Sequence, residues 1–152
     1  MLFGAVSISN RYHAASRSLM VNYLASHASH KLSYLVHPRK RFGGRAVRDQ
    51  RIRRFASLAA DIEDISLSIA DIEHDSKGVP VLLRQYLKTG GKLLGFNLDP
   101  RFSDVLDALL IVDLRTAPIG LLERCMGRPE AQVFVSAQRC PASTAPPAAR
   151  RR

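Results

Sequence analysis

Apolar residues recur along this chain with two periods, and the periods mark the elements. Leu2 to Ser9 is short, carries Val6 and Ile8, and alternates towards its end, which predicts a strand. Ala14 to Ser26 sets Ala15, Leu19 and Tyr23 four residues apart, with Met20 and Leu24 beside them. That is the stripe of a helix, and Asn10 is placed to open the turn into it. Leu32, Leu35 and Val36 predict one further helical turn before Pro38. The longest stripe is Leu58, Ile62, Ile65, Ile69 and Ile72, which predicts a single helix from about Phe55 to Glu73. Pro80 suits the first turn of a helix over Val81 to Lys88, and Gly90-Gly91 suits its C-terminal cap.

Two more strands follow, Lys92 to Leu98 and Leu106 to Leu114, joined by a loop over Asp99 to Asp104. The second is apolar almost throughout, as in a strand buried on both faces. Thr116 can cap a last helix, with Pro118 in its first turn, Leu121, Leu122, Cys125 and Met126 facing inward, and Gly127 at its end. The order predicts a mixed α/β (α+β) fold of about three strands and three to five helices. A sheet this small leaves its first strand exposed, so self-association through the Leu2–Ser9 edge is expected.

Charge changes this picture at two places. The chain carries a net +10. Arg39, Lys40, Arg41, Arg45, Arg48, Arg51, Arg53 and Arg54 stand between positions 38 and 54 against a single acid, Asp49. Gly43-Gly44 lies among them, which predicts a basic loop or insertion over 38–54. The 139–152 tail adds Arg139, Arg150, Arg151 and Arg152 in a Pro, Ala and Ser background and is expected to be disordered. The remainder is nearly neutral. Such a basic segment attracts polyanions: an acidic protein, an anionic membrane or nucleic acid. Only Phe42 and Phe55 offer stacking surfaces near it, which disfavours nucleic acid.

Cys125 and Cys140 form neither a disulfide framework nor a Cys-x-x-Cys pair, as suits a reducing cytoplasm. His27 and His30 have metal-like spacing but no evident third ligand, and no metal is expected. The apolar start, Met1 to Val6, lacks a basic lead and does not read as a signal peptide. No apolar run approaches the roughly 20 residues of a membrane span. Any membrane contact is therefore expected to be peripheral, at the inner face.

Four segments carry a family pattern: Leu2-Phe-Gly-Ala-Val-Ser-Ile-Ser-Asn-Arg-Tyr, Gly78-Val-Pro-Val-Leu-Leu-Arg-Gln-Tyr-Leu-Lys, Gly90-Gly-Lys-Leu-Leu-Gly-Phe-Asn-Leu-Asp and Asp104-Val-Leu-Asp-Ala-Leu-Leu-Ile-Val-Asp-Leu. Together they resemble the C-terminal portion of the hemolysin-like acyltransferases of the GNAT fold. These are relatives of the ornithine N-acyltransferases that use acyl carrier protein. The resemblance runs from Leu2 to about Ala137. It implies a partial GNAT-like domain over 1–138, lacking the family's N-terminal half. It also implies transfer of a fatty acyl group from acyl carrier protein, or acyl-CoA, to a lipid-precursor amine or hydroxyl, with no cofactor besides that co-substrate. An inactive remnant, or a basic protein binding nucleic acid or a membrane surface, is the alternative.

Acyl transfer needs a deprotonated acceptor, a stabilised oxyanion and an apolar slot. Asn97, Asp99, Ser103, Asp104 and Asp107 gather between the second and third strands; Asn97, Asp99 and Asp104 are candidate substrate-binding residues, and Asp99 or Asp104 could receive a cationic amine. They are equally ordinary turn and cap residues. Ser7 and Ser9 are candidates for the donor's thioester or pantetheine arm. Leu82, Leu83, Leu109 and Ile111 suit a slot or a core. No base or oxyanion donor is assigned. Under this resemblance, the eight basic residues of 39–54 would steer the acidic carrier protein.

Overall fold

A computed structural model describes residues 1–139. The chain forms two compact units, Met1–Asp113 and the part from Leu114 onward. Three strands and seven α-helices occur among the described residues, a mixed α/β fold.

The sheet belongs to the first unit. Its strands are β1 (Leu2–Ile8), β2 (Lys92–Asp99) and β3 (Val105–Val112), in the order β1-β3-β2. Both pairings are antiparallel, with Ala5 opposite Leu109 and Gly95 opposite Leu109 from the other side. β3, the most apolar strand, is central, as its composition implies. A bulge between Leu93 and Gly95 resets the register of β2. Strand geometry sends alternate residues to opposite faces. Val6, Ile8, Leu106, Ala108 and Leu110 therefore turn to one face and join the core. Ala5, Ser7, Asp107, Leu109, Gly95 and Asn97 occupy the other.

Helix α1 (Ala14–His27) supplies much of the helical layer over that core. Leu19, Met20, Tyr23 and Leu24 are buried with the strand residues. So are Ser16, Ser18 and Asn22, so α1 is covered on more than the one predicted stripe. Its polar interior is mostly satisfied: Ser18 donates to the Ala14 carbonyl, and Asn22 Nδ2 donates to the Ser18 and Val47 carbonyls. His13, not Asn10, caps α1, its Nδ1 accepting from the Ala15 N–H. Asn10 instead donates to the Ser103 carbonyl at 2.6 Å, fastening the end of β1 to the β2–β3 turn.

The basic segment differs from expectation. Its first part, 38–44, is a loop, but α2 (Arg45–Arg48) and α3 (Gln50–Leu58) follow. The one acid explains the change, because Asp49 ends α2 and caps α3 by accepting from the Arg51 N–H at 2.8 Å. Ile52 and Ala56 then pack α3 into the core. The long helix expected over Phe55 to Glu73 is likewise two helices. Asp61 caps α4 (Ile62–Ile72), accepting from the N–H groups of Glu63 and Asp64, while Asp64 accepts from Ala60. This reciprocal cap breaks the stripe: Ile62, Ile65 and Ile69 are buried, whereas Leu58 is 75% exposed.

Helix α5 (Val81–Lys88) lies where the sequence puts it, with Pro80 at its N-cap. Glu63 of α4 holds it through Arg84 at 3.0 Å and Lys88 at 2.9 Å. A 3-10 turn, Ser33–Leu35, is the predicted turn before Pro38.

The second unit contains α6 (Ile119–Met126) and α7 (Arg128–Arg139), with Leu122 and Ala131 buried. Pro118 rather than Thr116 is the N-cap of α6, and Gly127 ends it with φ +91°. Expectations for the Arg45 and Cys125 side chains, and for the tail from Cys140, lie outside the described residues.

Candidate functional site

On the sheet face away from α1 lies a cavity of about 300 Å³. Ala5, Leu109 and Gly95 contribute to it from one rung across all three strands. Val36 to Arg39 contribute from the segment after the 3-10 turn. That segment can approach because residue 95 is glycine: a Cβ there would sit 3.3 Å from Val36 Cγ1. Hydrogen bonds hold it against β2, since Leu98 N–H donates to the Lys40 carbonyl and Lys40 N–H donates to Asn97 Oδ1. The outer edge of β2 is thereby covered. The outer edge of β1 carries no strand among the described residues.

The next rung is polar. Ser7, Asp107 and Asn97 stand opposite one another on β1, β3 and β2. Ser7 Oγ donates to Asp107 Oδ1 at 2.6 Å, a short charge-assisted bond. Asn97 and Asp107 line the cavity. An apolar rung beside an acidic, hydroxylated rung is thus the chemical character of the site.

Two of the five candidate site residues, Ser7 and Asn97, fall on this polar rung. Asp104 lies in the turn beyond the end of this ladder, paired with Lys40 Nζ at 3.1 Å, both side chains more than half exposed. Its carbonyl accepts from Arg17, whose guanidinium lies 4.8 Å over the Phe42 ring. Burial lowers the Arg17 pKa, and Asp104 opposes that shift. Ser103 and Asp104 both have positive φ, as a tight two-strand connection demands. Asp99 and Ser9 do turn work instead: Asp99 accepts from the Arg101 N–H, and Ser9 from the Arg11 N–H. Of the apolar candidates, Leu109 lines the cavity, Leu83 is core, Ile111 is buried and Leu82 is exposed.

The sequence offers Asp107 only as the last of the polar residues around the two strand ends, with no role of its own; the strand order makes it the centre of the rung. Its signal is a lone acid inside an apolar strand, at a position whose parity sets it on the face opposite to Leu106 and Ala108.

The seven basic residues of 39–54 whose side chains are described fall in two places. Arg39 lines the cavity; Lys40 is hydrogen-bonded to Leu98 and Asn97 along the β2 edge, and Arg41 after it is exposed. Arg48, Arg51, Arg53 and Arg54 ride on α2 and α3, which pack with α1 on the closed side of the sheet.

A second polar cluster joins α4 to the start of α1. Glu73 is buried, and its Oε1 accepts from the His13 N–H at 2.7 Å, where the dipole of α1 favours an anion. Burial raises its pKa. The Ser16 hydroxyl alongside (short of hydrogen-bond geometry), the His13 N–H and the Lys77 ammonium outweigh that, and the net shift is downward. Lys77 also lies 4.6 Å over the Tyr12 ring, and Tyr12 donates to the Gly78 carbonyl. The His13–Glu73 bond ties the end of α4 to the start of α1, so this cluster reads as a clasp.

His27 and His30 are also locally engaged. The His27 ring stacks on Tyr23 with centroids 4.6 Å apart, and His30 Nδ1 accepts from the Leu32 N–H. Among the described residues no three His, Cys, Asp or Glu side chains are grouped as metal ligands. No helix among them is long and apolar enough to cross a membrane. Comparison with protein-family models, with curated proteins and with solved structures finds no match to this chain.

Proposed function

We propose that this chain supplies the acyl-holding part of an acyltransferase, which moves a fatty acyl group from an acyl-thioester to an amine or hydroxyl of a lipid precursor. One observation supports this reading above the others: an apolar cavity on a sheet face ends in the Ser7–Asp107–Asn97 rung. The apolar rung accommodates the acyl chain. The polar rung suits the carbonyl end and the acceptor, with the Asp107 carboxylate facing the acceptor's proton. The acceptor nitrogen or oxygen bonds to the acyl carbon, the carbon–sulfur bond breaks, and the departing thiolate takes up a proton. The resemblance of the four quoted segments to hemolysin-like acyltransferases points to the same class.

Acyl carrier protein is the preferred donor. It is acidic, and Arg39, Lys40 and Arg41 are exposed beside the cavity, so attraction at the approach is favourable. The test is binding of palmitoyl-carrier protein and of unacylated carrier protein to the full chain, at low and high salt. The acylated form is expected to bind at least about tenfold more tightly, as burial of a few methylenes supplies. Leu109→Trp, which fills the cavity, is expected to erase that difference and leave the salt dependence intact. Equal affinity for the two forms in the wild-type chain would sink the proposal.

A further inference from the structure

Helix α3 carries a surface that the cavity does not use. Ile52 and Ala56 face the core, and the opposite arc is unlike an ordinary solvated helix face. Arg51, Arg54, Phe55 and Leu58 stand at spacings of three, four and seven from the first, so they share an arc of about 100°. Phe55 is 49% exposed and Leu58 75% exposed. Arg48 ends α2 just before this helix, and Arg53 is exposed on another side of α3. None of the four arginines makes an ion pair among the described residues.

We infer that this face of α3 docks on an anionic lipid bilayer. The arginines supply charge complementarity to the headgroups, and Phe55 and Leu58 supply apolar groups that enter the boundary below them. The combination decides between polyanions. Nucleic acid and a soluble acidic protein both draw on the arginines, but a phosphate backbone has no use for Leu58 held out in water. A bilayer uses both kinds of residue on one helix face. This inference does not depend on acyl transfer, since Leu109 and the Ser7–Asp107 pair are not part of the surface.

The chain contains no tryptophan, so Phe55→Trp gives a single reporter at the surface. With vesicles of phosphatidylcholine and phosphatidylglycerol, the indole emission of this variant is expected to shift to the blue and to be quenched by brominated acyl chains. With pure phosphatidylcholine vesicles, duplex DNA or acyl carrier protein, it is expected to stay at the solvent-exposed wavelength. In co-sedimentation of the otherwise wild-type chain, each of Arg51→Ala and Arg54→Ala should weaken binding about fivefold. Phe55→Ala with Leu58→Ala should weaken it roughly tenfold or more, with far-UV circular dichroism unchanged. A blue shift with DNA or carrier protein in place of vesicles would overturn the inference. So would vesicle binding that the Phe55→Ala/Leu58→Ala variant leaves intact, because the attraction would then be charge alone.

Discussion

Replacing Gly91 by alanine is expected to destabilise the 1–113 unit much more than the same change at Gly90. The two glycines close α5: Gly91 N–H donates to the Tyr86 carbonyl at 2.8 Å and Gly90 N–H to the Leu87 carbonyl at 3.0 Å. Gly90 has φ +82° and open space around the position of a Cβ. Alanine there meets only the left-handed backbone penalty, about 1–2 kcal/mol. At Gly91 the backbone is unexceptional but the space is not. A Cβ would lie 2.9 Å from the Tyr86 carbonyl carbon and closer still to its oxygen. Those are backbone atoms at a helix end and cannot swing aside. Relief stretches or breaks the Gly91–Tyr86 bond, at a cost of roughly 1–3 kcal/mol, and displaces the start of β2 besides. The total should reach about 2–4 kcal/mol, in the range of other steric faults in packed regions. Urea unfolding followed by circular dichroism measures it. With a slope of about 2 kcal/mol per molar, the midpoint falls by about 1–2 M for Gly91→Ala and by half that or less for Gly90→Ala. A Gly90→Ala variant as damaged as Gly91→Ala would refute the steric reasoning.

Three further outcomes follow from single contacts. Glu73 has a folded pKa below its ordinary 4.5, so its contribution is present above the unfolded value and disappears as pH falls through the folded one. Urea midpoints taken from pH 6 down to pH 3 should decline, and Glu73→Gln should flatten that decline; identical slopes in the two proteins would exclude the clasp. Asp61→Ala removes the N-cap of α4 and should cost about 1 kcal/mol in the same assay, against no change for the exposed Asp71→Ala. Leu110→Ala, at a fully buried position of β3, should cost about 2–5 kcal/mol, whereas Leu82→Ala on exposed α5 surface should stay within about 0.5 kcal/mol.

The strands are legible in the sequence because each is a short apolar run bounded by turn residues. β1, β2 and β3 lie within two residues of where Leu2–Ser9, Lys92–Leu98 and Leu106–Leu114 put them. Helix α5 is legible for the reason argued above, since Gly90-Gly91 has one common structural use. Composition misleads where a single cap decides. Asp49 reads as a stray acid in a basic loop, and it is the residue that starts α3. Asp61 and Asp64 read as the polar face of one long helix, and they break it. The site is half legible. Strand position alone picks out Ser7 and Asn97, but it does not contain the strand order, and without that order nothing places Asp107 between them. Asp99 and Ser9 are indistinguishable in sequence from ligand-facing groups, because a carboxylate or hydroxyl beside a turn serves either use.

The separation of the basic residues relates the cavity to the face of α3 proposed to meet lipid. Counted along the chain, Arg39 to Arg54 is one cluster with one partner. In the fold, Arg39 borders the cavity on the open face, while Arg51 and Arg54 stand on a helix packed over the closed face. A chain bedded on a bilayer through α3 therefore keeps its cavity on the aqueous side of the sheet. An acyl group held in the bilayer has no direct route there, whereas one carried by a small soluble acidic protein does. The two proposals thus predict more together than apart. Palmitoyl-carrier protein should pellet with phosphatidylglycerol-containing vesicles only when this chain is present, in an amount set by the chain bound. Release of the carrier protein as vesicles are added would mean that both partners compete for one face, and the division of the basic segment into two surfaces would be wrong.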